Sequence, residues 1–270
     1  MDDYIQQNST SIQPIEFDTQ LFDPISLSEM DGVTLMNRID TKFLLNSSQL
    51  PFILKKATSH YRILEINGER ITPYSTVYFD TEDVKMYIMH HNGKLNRYKL
   101  RMRSYINSGL SFLEVKRKNN KGRTSKKRIN IENSQFDSQQ LLNDNYSFLE
   151  KRLPYSPELL SPKLQNYFRR ITLVDNDKTE RITIDLGLKF KSMNNDEEKV
   201  IDNLVIIELK HDGGGKSKFR YFLNELNIIP RSMSKYCLGM VIVNPNFKNN
   251  RFKNKLRIIN KITQIKHVTI

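Results

Sequence analysis

The sequence predicts an α+β fold: a closed eight-stranded antiparallel β-barrel with flanking helices. Three observations predict it. Eight short segments are rich in β-branched or aromatic residues and bounded by turn formers. Six of them alternate charged and apolar residues at period 2, the period at which strand side chains change face. The polar face is cationic on strand after strand, and a barrel lumen would gather such faces while the apolar faces meet covering helices.

In chain order, residues 1–20 carry no periodicity and read as a flexible arm. Helices are expected over 26–36 and 47–58, with Ser28 and Ser47 near their starts. The first strand is expected at 37–45, followed by 74–80, 96–105, 111–118, 125–132, 166–174, 180–188 and 203–211. Further helices are expected over 81–92, with Thr81 as N-cap, and over 138–150, 155–165, 216–228 and 233–243. Segment 119–124 (NNKGRT) reads as a flexible turn, and 211–216 (HDGGGK), with three consecutive glycines, as a mobile loop. Gly213, Gly214, Gly215 and Lys216 lack the spacing and the Ser/Thr of a Walker phosphate loop. No repeat or linker divides 21–247, so a single domain is expected there, with 248–270 as a basic tail. In that tail Lys248, Arg251, Lys253, Lys255, Arg257, Lys261 and Lys266 meet no acid, and Phe252, Leu256, Ile259 and Ile262 fall at near-helical spacing. A tail helix packing its apolar stripe on the domain is expected first, and a polyanion, peripheral membrane or membrane-protein contact second.

Lysine and arginine total 43 against 30 acids in 270 residues, a net charge of +13 that favours a polyanionic partner, an anionic membrane surface or an anionic substrate. The lone Cys237 excludes an internal disulfide and a multi-cysteine zinc site. His60, His90, His91, His211 and His267 show no metal-ligand spacing. The start MDDYIQQNST does not read as a signal peptide, and no run approaches a membrane span, so a cytoplasmic location, extending to the membrane surface through the tail, is expected. No RNA-recognition or helix-turn-helix signature is present, which argues against a specific nucleic-acid partner.

Arg97, Lys99, Arg101 and Arg103 share one strand face, with Tyr98, Leu100 and Met102 on the other. Glu114, Lys116 and Lys118 share a face, as do Lys126 and Arg128, and Tyr167 and Arg169. Arg181, Thr183 and Asp185 alternate with Ile182, Ile184 and Leu186, while Glu208 and Lys210 alternate with Ile207 and Leu209. Like charges on neighbouring strands repel, so such clustering suits an anion bound between them. Guanidinium forks grip phosphate oxygens in pairs, and carboxylates hold a bridging divalent cation.

With these residues in view the chain resembles the VTC domain, the polyphosphate polymerase module of the vacuolar transporter chaperone complex and its stand-alone bacterial relatives, within the CYTH-like triphosphate tunnel metalloenzymes. The resemblance covers about residues 35–245. It rests on RIDTKF at 38–43, TVYFDT at 76–81, KLRMR at 99–103, FLEVKRK at 112–118, SKKR at 125–128, YFRR at 167–170, RITID at 181–185, IIELK at 206–210 and SKY at 234–236. It implies that Lys42, Lys99, Arg101, Arg103, Lys126, Arg169, Arg181 and Lys210 grip phosphates, joined by the Tyr167 hydroxyl, with Lys116 and Arg128 in the same lining. It implies Mn²⁺ or Mg²⁺ at Glu208, with Glu114 and Asp40 as further carboxylates. Lys235 would stand at the tunnel mouth near the transferred phosphoryl group, with Arg101, Arg103 and Lys210 as its catalytic companions. Tunnel enzymes often open with Glu-x-Glu-x-Lys; here Arg38, Asp40 and Lys42 stand at those positions, a departure that favours the VTC branch over a usual triphosphatase.

The implied activity is transfer of the terminal phosphoryl group of ATP, or another nucleoside triphosphate, to inorganic polyphosphate. Triphosphatase or polyphosphatase activity in the same tunnel, with water as acceptor, is the alternative. A sensor that binds polyphosphate or nucleotide without turnover is the third reading. A nucleic-acid or membrane binder would instead gather its cations on an outer face.

Overall fold

The computed structural model describes residues 18–31, 39–132, 138–211 and 217–265. The arm up to residue 17, Arg38, the second half of the expected first helix, the glycine run and the last residues of the tail lie outside the described residues.

Eleven strands are described: β1 (Pro24–Ile25), β2 (Ile39–Asn46), β3 (Tyr61–Leu64), β4 (Thr72–Thr81), β5 (Arg97–Tyr105), β6 (Leu110–Lys118), β7 (Thr124–Ile131), β8 (Leu160–Asp175), β9 (Glu180–Ser192), β10 (Glu198–Ile201) and β11 (Leu204–His211). The helices are α1 (Leu27–Asp31), α2 (Leu50–Ala57), α3 (Lys85–His91), α4 (Ser138–Asp144), α5 (Tyr146–Glu150), α6 (Lys218–Glu225), α7 (Lys235–Val243) and α8 (Lys253–Thr263). Among the described residues no helix is long and apolar enough to cross a membrane.

The strand order is β2-β11-β9-β8-β4-β5-β6-β7, with β1 paired to β3, β3 to β8 and β10 to β9 off that path. All eight expected strands form, but the expected closed barrel does not: the sheet is open, and it has eleven strands. The physical reason lies in strand length. β8 and β9 run to 16 and 13 residues, longer than their expected segments. β9 therefore gives Glu180–Asp185 to β11 and Leu188–Lys191 to β10, and β8 gives Leu173–Asp175 to β3, so the ladder branches rather than returning on itself.

The described residues fall into two compact units, Met1–Thr72 with Arg169–Gly187 and Asp202–Met233, and Pro73–Phe168 with Leu188–Ile201 and Ser234–Ile270. In the first, one strand face is apolar: Phe43, Leu45, Ile171, Ile184, Ile207 and their neighbours bury against α2 and α6. Each such buried side chain is worth roughly 2 kcal/mol relative to exposure. In the second, Val77, Phe79, Leu100, Leu113 and Val115 form a core with Leu142 of α4 and Leu149 of α5. Strand alternation then leaves the opposite, charged faces for other work.

Several helix expectations are corrected. Over 155–165 only a 3₁₀ turn, Pro157–Leu159, precedes β8, because Pro162 would sit inside the helix without an amide hydrogen. The 138–150 helix breaks at Asn145, whose φ of −112° is not helical. Helix α1 takes Ser26 rather than Ser28 as its start: Ser26 Oγ accepts from Glu29 N, and the Glu29 carboxylate accepts from Ser26 N. Thr81 does not directly precede α3, which follows Val84 at φ 49°. It still serves the helix, since its Oγ1 accepts from Lys85 N at 3.0 Å while the Asp80 carboxylate accepts from the amides of Met86 and Tyr87, both at 2.9 Å.

The tail forms α8 and packs within the second unit. Leu256 and Ile259 are buried, and Phe252 meets the His91 ring edge-on at 5.2 Å. The apolar stripe is thus occupied, which does not support a membrane contact through it.

Candidate functional site

In the first unit, β2, β9 and β11 present one charged face. Lys42 lies opposite Glu208, Thr183 lies opposite Glu208 from the other side, and Lys210 is flanked by Asp40 and Arg181. The Lys42 ammonium donates to Glu208 Oε1, and Lys210 Nζ approaches Glu208 Oε2 at 3.3 Å. Burial alone would raise the Glu208 carboxyl, but Lys210, Lys42 and Arg170 hold it well below the usual carboxylate range. Burial draws Lys210 downward against the opposing pull of Glu208. Arg170 grips Asp185 with two bonds, Nε to Oδ1 at 2.6 Å and Nη2 to Oδ2 at 2.9 Å. Thr183 Oγ1 is buried on this face and makes no hydrogen bond among the described residues.

Asp185 was placed on the polar strand face by the sequence but given no role in the site, and Arg170 was not singled out. Arg169 was, yet it takes the parity of Ile171 and Leu173, which pack in the core, while its neighbour reaches the charged face. The core pair Ile171-x-Leu173 was the available signal, obscured because both parities of β8 carry apolar residues.

In the second unit the charged face belongs to β5, β6 and β7. Glu114 lies between Arg101 and Arg128 in the register, and Lys116 between Lys99 and Lys126. Glu114 is 1% exposed. It accepts from Arg101 Nε at 2.7 Å and pairs with the Lys126 ammonium. Burial opposes its charge, but Arg101, Arg103 and Lys126 bring it down to about 2. Burial in turn lowers Lys126 to about 8, and lowers Lys99 to about 8 with help from Lys116, Arg101 and Arg97. Lys116 and Arg128 are exposed, the latter with its guanidinium 4.4 Å from the Phe112 ring centroid. Arg103 is buried, 5.8 Å from the Tyr74 ring. Tyr167 is half-buried and hydrogen-bonds Ser75, and burial raises its hydroxyl.

Helix α7 joins this unit at its N-terminus. Ser234 caps it by accepting from Cys237 N, and the same Oγ accepts from Lys99 Nζ at 2.8 Å. Lys235 projects its ammonium over the Phe168 ring, 3.4 Å from the centroid, and Phe168 stacks on Tyr74 at 5.2 Å. Tyr236 donates to the fully buried Asp80 at 2.6 Å. The SKY segment is therefore fixed at all three residues. Ser234 and Phe168 are site neighbours that strand periodicity could not disclose, since each acts through another element.

The family model for the VTC domain matches residues 37–244. The chain belongs to the VTC domain family. No curated protein matches it. Among solved structures, the VTC chain is similar to the PH1819 protein of Pyrococcus horikoshii OT3 at 13% identity, covering 76% of this chain and 98% of that one, TM-score 0.42. It is likewise similar to HpAC1 of Hippeastrum, a protein assigned as an adenylyl cyclase with a dominant triphosphatase activity, at 13% identity, 74% and 94% coverage, TM-score 0.42. Likenesses at that level carry no argument about this chain.

For the VTC family a divalent metal is implied, and its fit can be tested on the donor set. Among the described residues no group of three or more His, Cys, Asp or Glu side chains is placed to hold a metal. Glu208 and Glu114 are each engaged by two cations. Asp40 is exposed at the end of β2. A hard cation takes about six oxygen ligands. These side chains do not make a cage for a resident ion; an ion that arrives on a triphosphate would keep phosphate and water oxygens as most of its ligands.

Proposed function

We propose that this VTC domain is a phosphotransferase that moves the terminal phosphoryl group of ATP, or another nucleoside triphosphate, onto a growing inorganic polyphosphate chain. One observation carries the reading: in a VTC-family chain, each unit presents a buried or half-buried carboxylate braced by two cations, with more arginine and lysine beside it. Such a face neutralises a row of phosphates, and a phosphate oxygen would satisfy Thr183 Oγ1.

In the proposed step a terminal oxygen of the chain forms a bond to the γ-phosphorus, the bond from that phosphorus to the β–γ bridging oxygen breaks, and the diphosphate leaves with the electron pair. The transition state is loose, so positioning and charge neutralisation supply most of the catalysis and no protein nucleophile is needed. In the second unit Arg101 and Arg103 would neutralise phosphate oxygens, and Lys235 at the start of α7 would meet the phosphoryl group in transfer. Lys210 would neutralise phosphate oxygens on the charged face of the first unit. In the first unit Lys42, Arg170 and Arg181 would hold phosphates, and in the second Lys99, Lys116, Lys126, Arg128 and Tyr167 would do so. Mg²⁺ or Mn²⁺ would enter as the nucleotide complex. The cytoplasm supplies such nucleotides and is the compartment proposed.

The test is incubation with ATP and Mn²⁺, with and without a short polyphosphate primer, read on a polyphosphate-stained gel beside a free-phosphate assay. A ladder is expected, reduced at least about a hundredfold by Lys235→Ala and by Arg101→Ala, the range for losing one charge-stabilising donor. Free phosphate without a ladder would assign hydrolysis in place of transfer. Neither product under any divalent metal would overturn the enzyme reading and leave a binding protein.

A further inference from the structure

After Glu225 the sequence contains no acidic residue, while Arg231, Lys235, Lys248, Arg251, Lys253, Lys255, Arg257, Lys261 and Lys266 follow. Most of this charge is on the tail. Its placement is fixed on one side by packing: Tyr87 donates its hydroxyl to Lys248 O at 2.8 Å, Arg251 Nη1 donates to Asn92 O at 2.6 Å, and Leu256 and Ile259 are buried. Lys253, Lys255, Arg257 and Lys261 are left exposed on the other side.

Helix stability explains Lys261, which lies in the last turn, but not the cations of the first turn. Lys253 and Lys255 occupy the first turn of α8, where the helix dipole disfavours cations, and no acid stands there to compensate. Solubility does not require them either in a chain of net charge +13.

The tail meets the strand cluster of the same unit at the turn that leads into β5, where Arg251 Nη1 donates to Asn92 O at 2.6 Å and Arg97 Nη1 donates to Lys94 O at 3.0 Å. Arg97 faces Lys118 and Lys99 faces Lys116 across β5 and β6, like charges set directly opposite, an arrangement that costs energy unless an anion lies between them. Lys99 and Lys255 act on the same buried neighbours. His90 is held down to about 2 by burial first, then by Lys99, Arg97, Lys255 and Lys118. Burial raises the Cys237 thiol, and Lys99, Lys255 and Arg97 oppose that rise.

We propose that the exposed basic face of α8 is a second phosphate-chain surface, continuing from Arg97 and Lys99 and taking the part of an inorganic polyphosphate chain that extends beyond the strand cluster. This rests on the strand clusters being phosphate binders. A polyphosphate is favoured over a lipid surface because a helix that lies in a membrane interface buries its apolar face there, and here Leu256 and Ile259 already fill the core side. The surface lies outside the span that defines the family, residues 37–244.

The experiment compares the full chain with a Lys253→Gln, Lys255→Gln, Arg257→Gln triple variant, all at exposed positions. Affinities are measured by titration for tripolyphosphate, for a long polyphosphate, for phosphatidylserine vesicles and for a single-stranded oligonucleotide. The expected result is about a tenfold loss for the long polyphosphate, with tripolyphosphate unchanged and no larger loss for vesicles or oligonucleotide. An unchanged long-chain affinity overturns the proposal, as does a loss greater for vesicles or oligonucleotide than for polyphosphate. Tripolyphosphate binding also reports that the variant is folded. If the parent chain binds no polyphosphate of any length, the strand-cluster reading fails and this proposal with it. If the parent binds and the variant matches it, only the α8 surface is lost.

Discussion

Glu114 shows how charge and burial settle one side chain. Burial alone would protonate it, and three cations from β5 and β7 reverse that and hold it ionised down to about pH 2. Its folded pKa lies below the ordinary 4.5. Stability from this group is therefore complete above pH 4.5 and lost as the pH falls toward 2. Glu114→Gln should cost about 3 kcal/mol at neutral pH, because Arg101 and Lys126 then face each other without their acid. It should also flatten the acid limb of stability; urea unfolding at pH 7 and pH 3 would show both, and an unaltered acid limb would assign that limb elsewhere. The cluster around Glu114 was legible because carboxylate and lysine alternate along single strands. Arg170 was not, since choosing between Arg169 and Arg170 requires knowing which parity of β8 packs against α2 and α6.

Helix α7 makes the same point for a whole element. Every residue from Tyr236 to Val243 is buried, so its sequence has no polar face to reveal its orientation. It starts where Ser234 and Lys235 are needed and runs through a gap that only glycine permits: a Cβ at Gly239 would collide with the Phe190 ring and with Leu164. Gly239→Ala should destabilise the chain by about 1–3 kcal/mol despite the better helix propensity of alanine. Denaturant midpoints would test this, and a gain in stability would mean that Phe190 moves aside freely. Most strands were read to within about two residues, because period 2 repeats within a few positions, but β8 begins and β9 ends well outside the expected segments. β1, β3 and β10 span two to four residues and are too short to show a period. Over 155–165 a helix was expected, and Pro162 decided otherwise.

The molecule as a whole carries +13, and that total matters for association more than for folding. A long polyphosphate that meets many cations should lose affinity with added salt far more steeply than tripolyphosphate does, because each neutralised phosphate releases a counterion. Between 50 and 200 mM salt the long-chain constant should fall by about a hundredfold or more if six to ten cations engage it. Titrations across that range would give the slope, and equal slopes for the two ligands would show that only the short strand clusters bind. Charge of this size also explains why both carboxylates are doubly braced while arginines and lysines remain on the same faces.

Local chemistry was enough to place eight strands, their charged faces, Glu114 and Glu208 beside their lysines, and the basic tail helix, because each depends on neighbours within a few residues. The open sheet was settled by long-range pairing instead. The lengths of β8 and β9 set which partners they serve, and no local period records where a strand stops hydrogen-bonding to one neighbour and begins with another. The same holds for Lys235 over Phe168, Lys99 on Ser234 and Tyr236 on Asp80. Each joins residues far apart in the chain, brought together only when apolar faces on different elements bury each other.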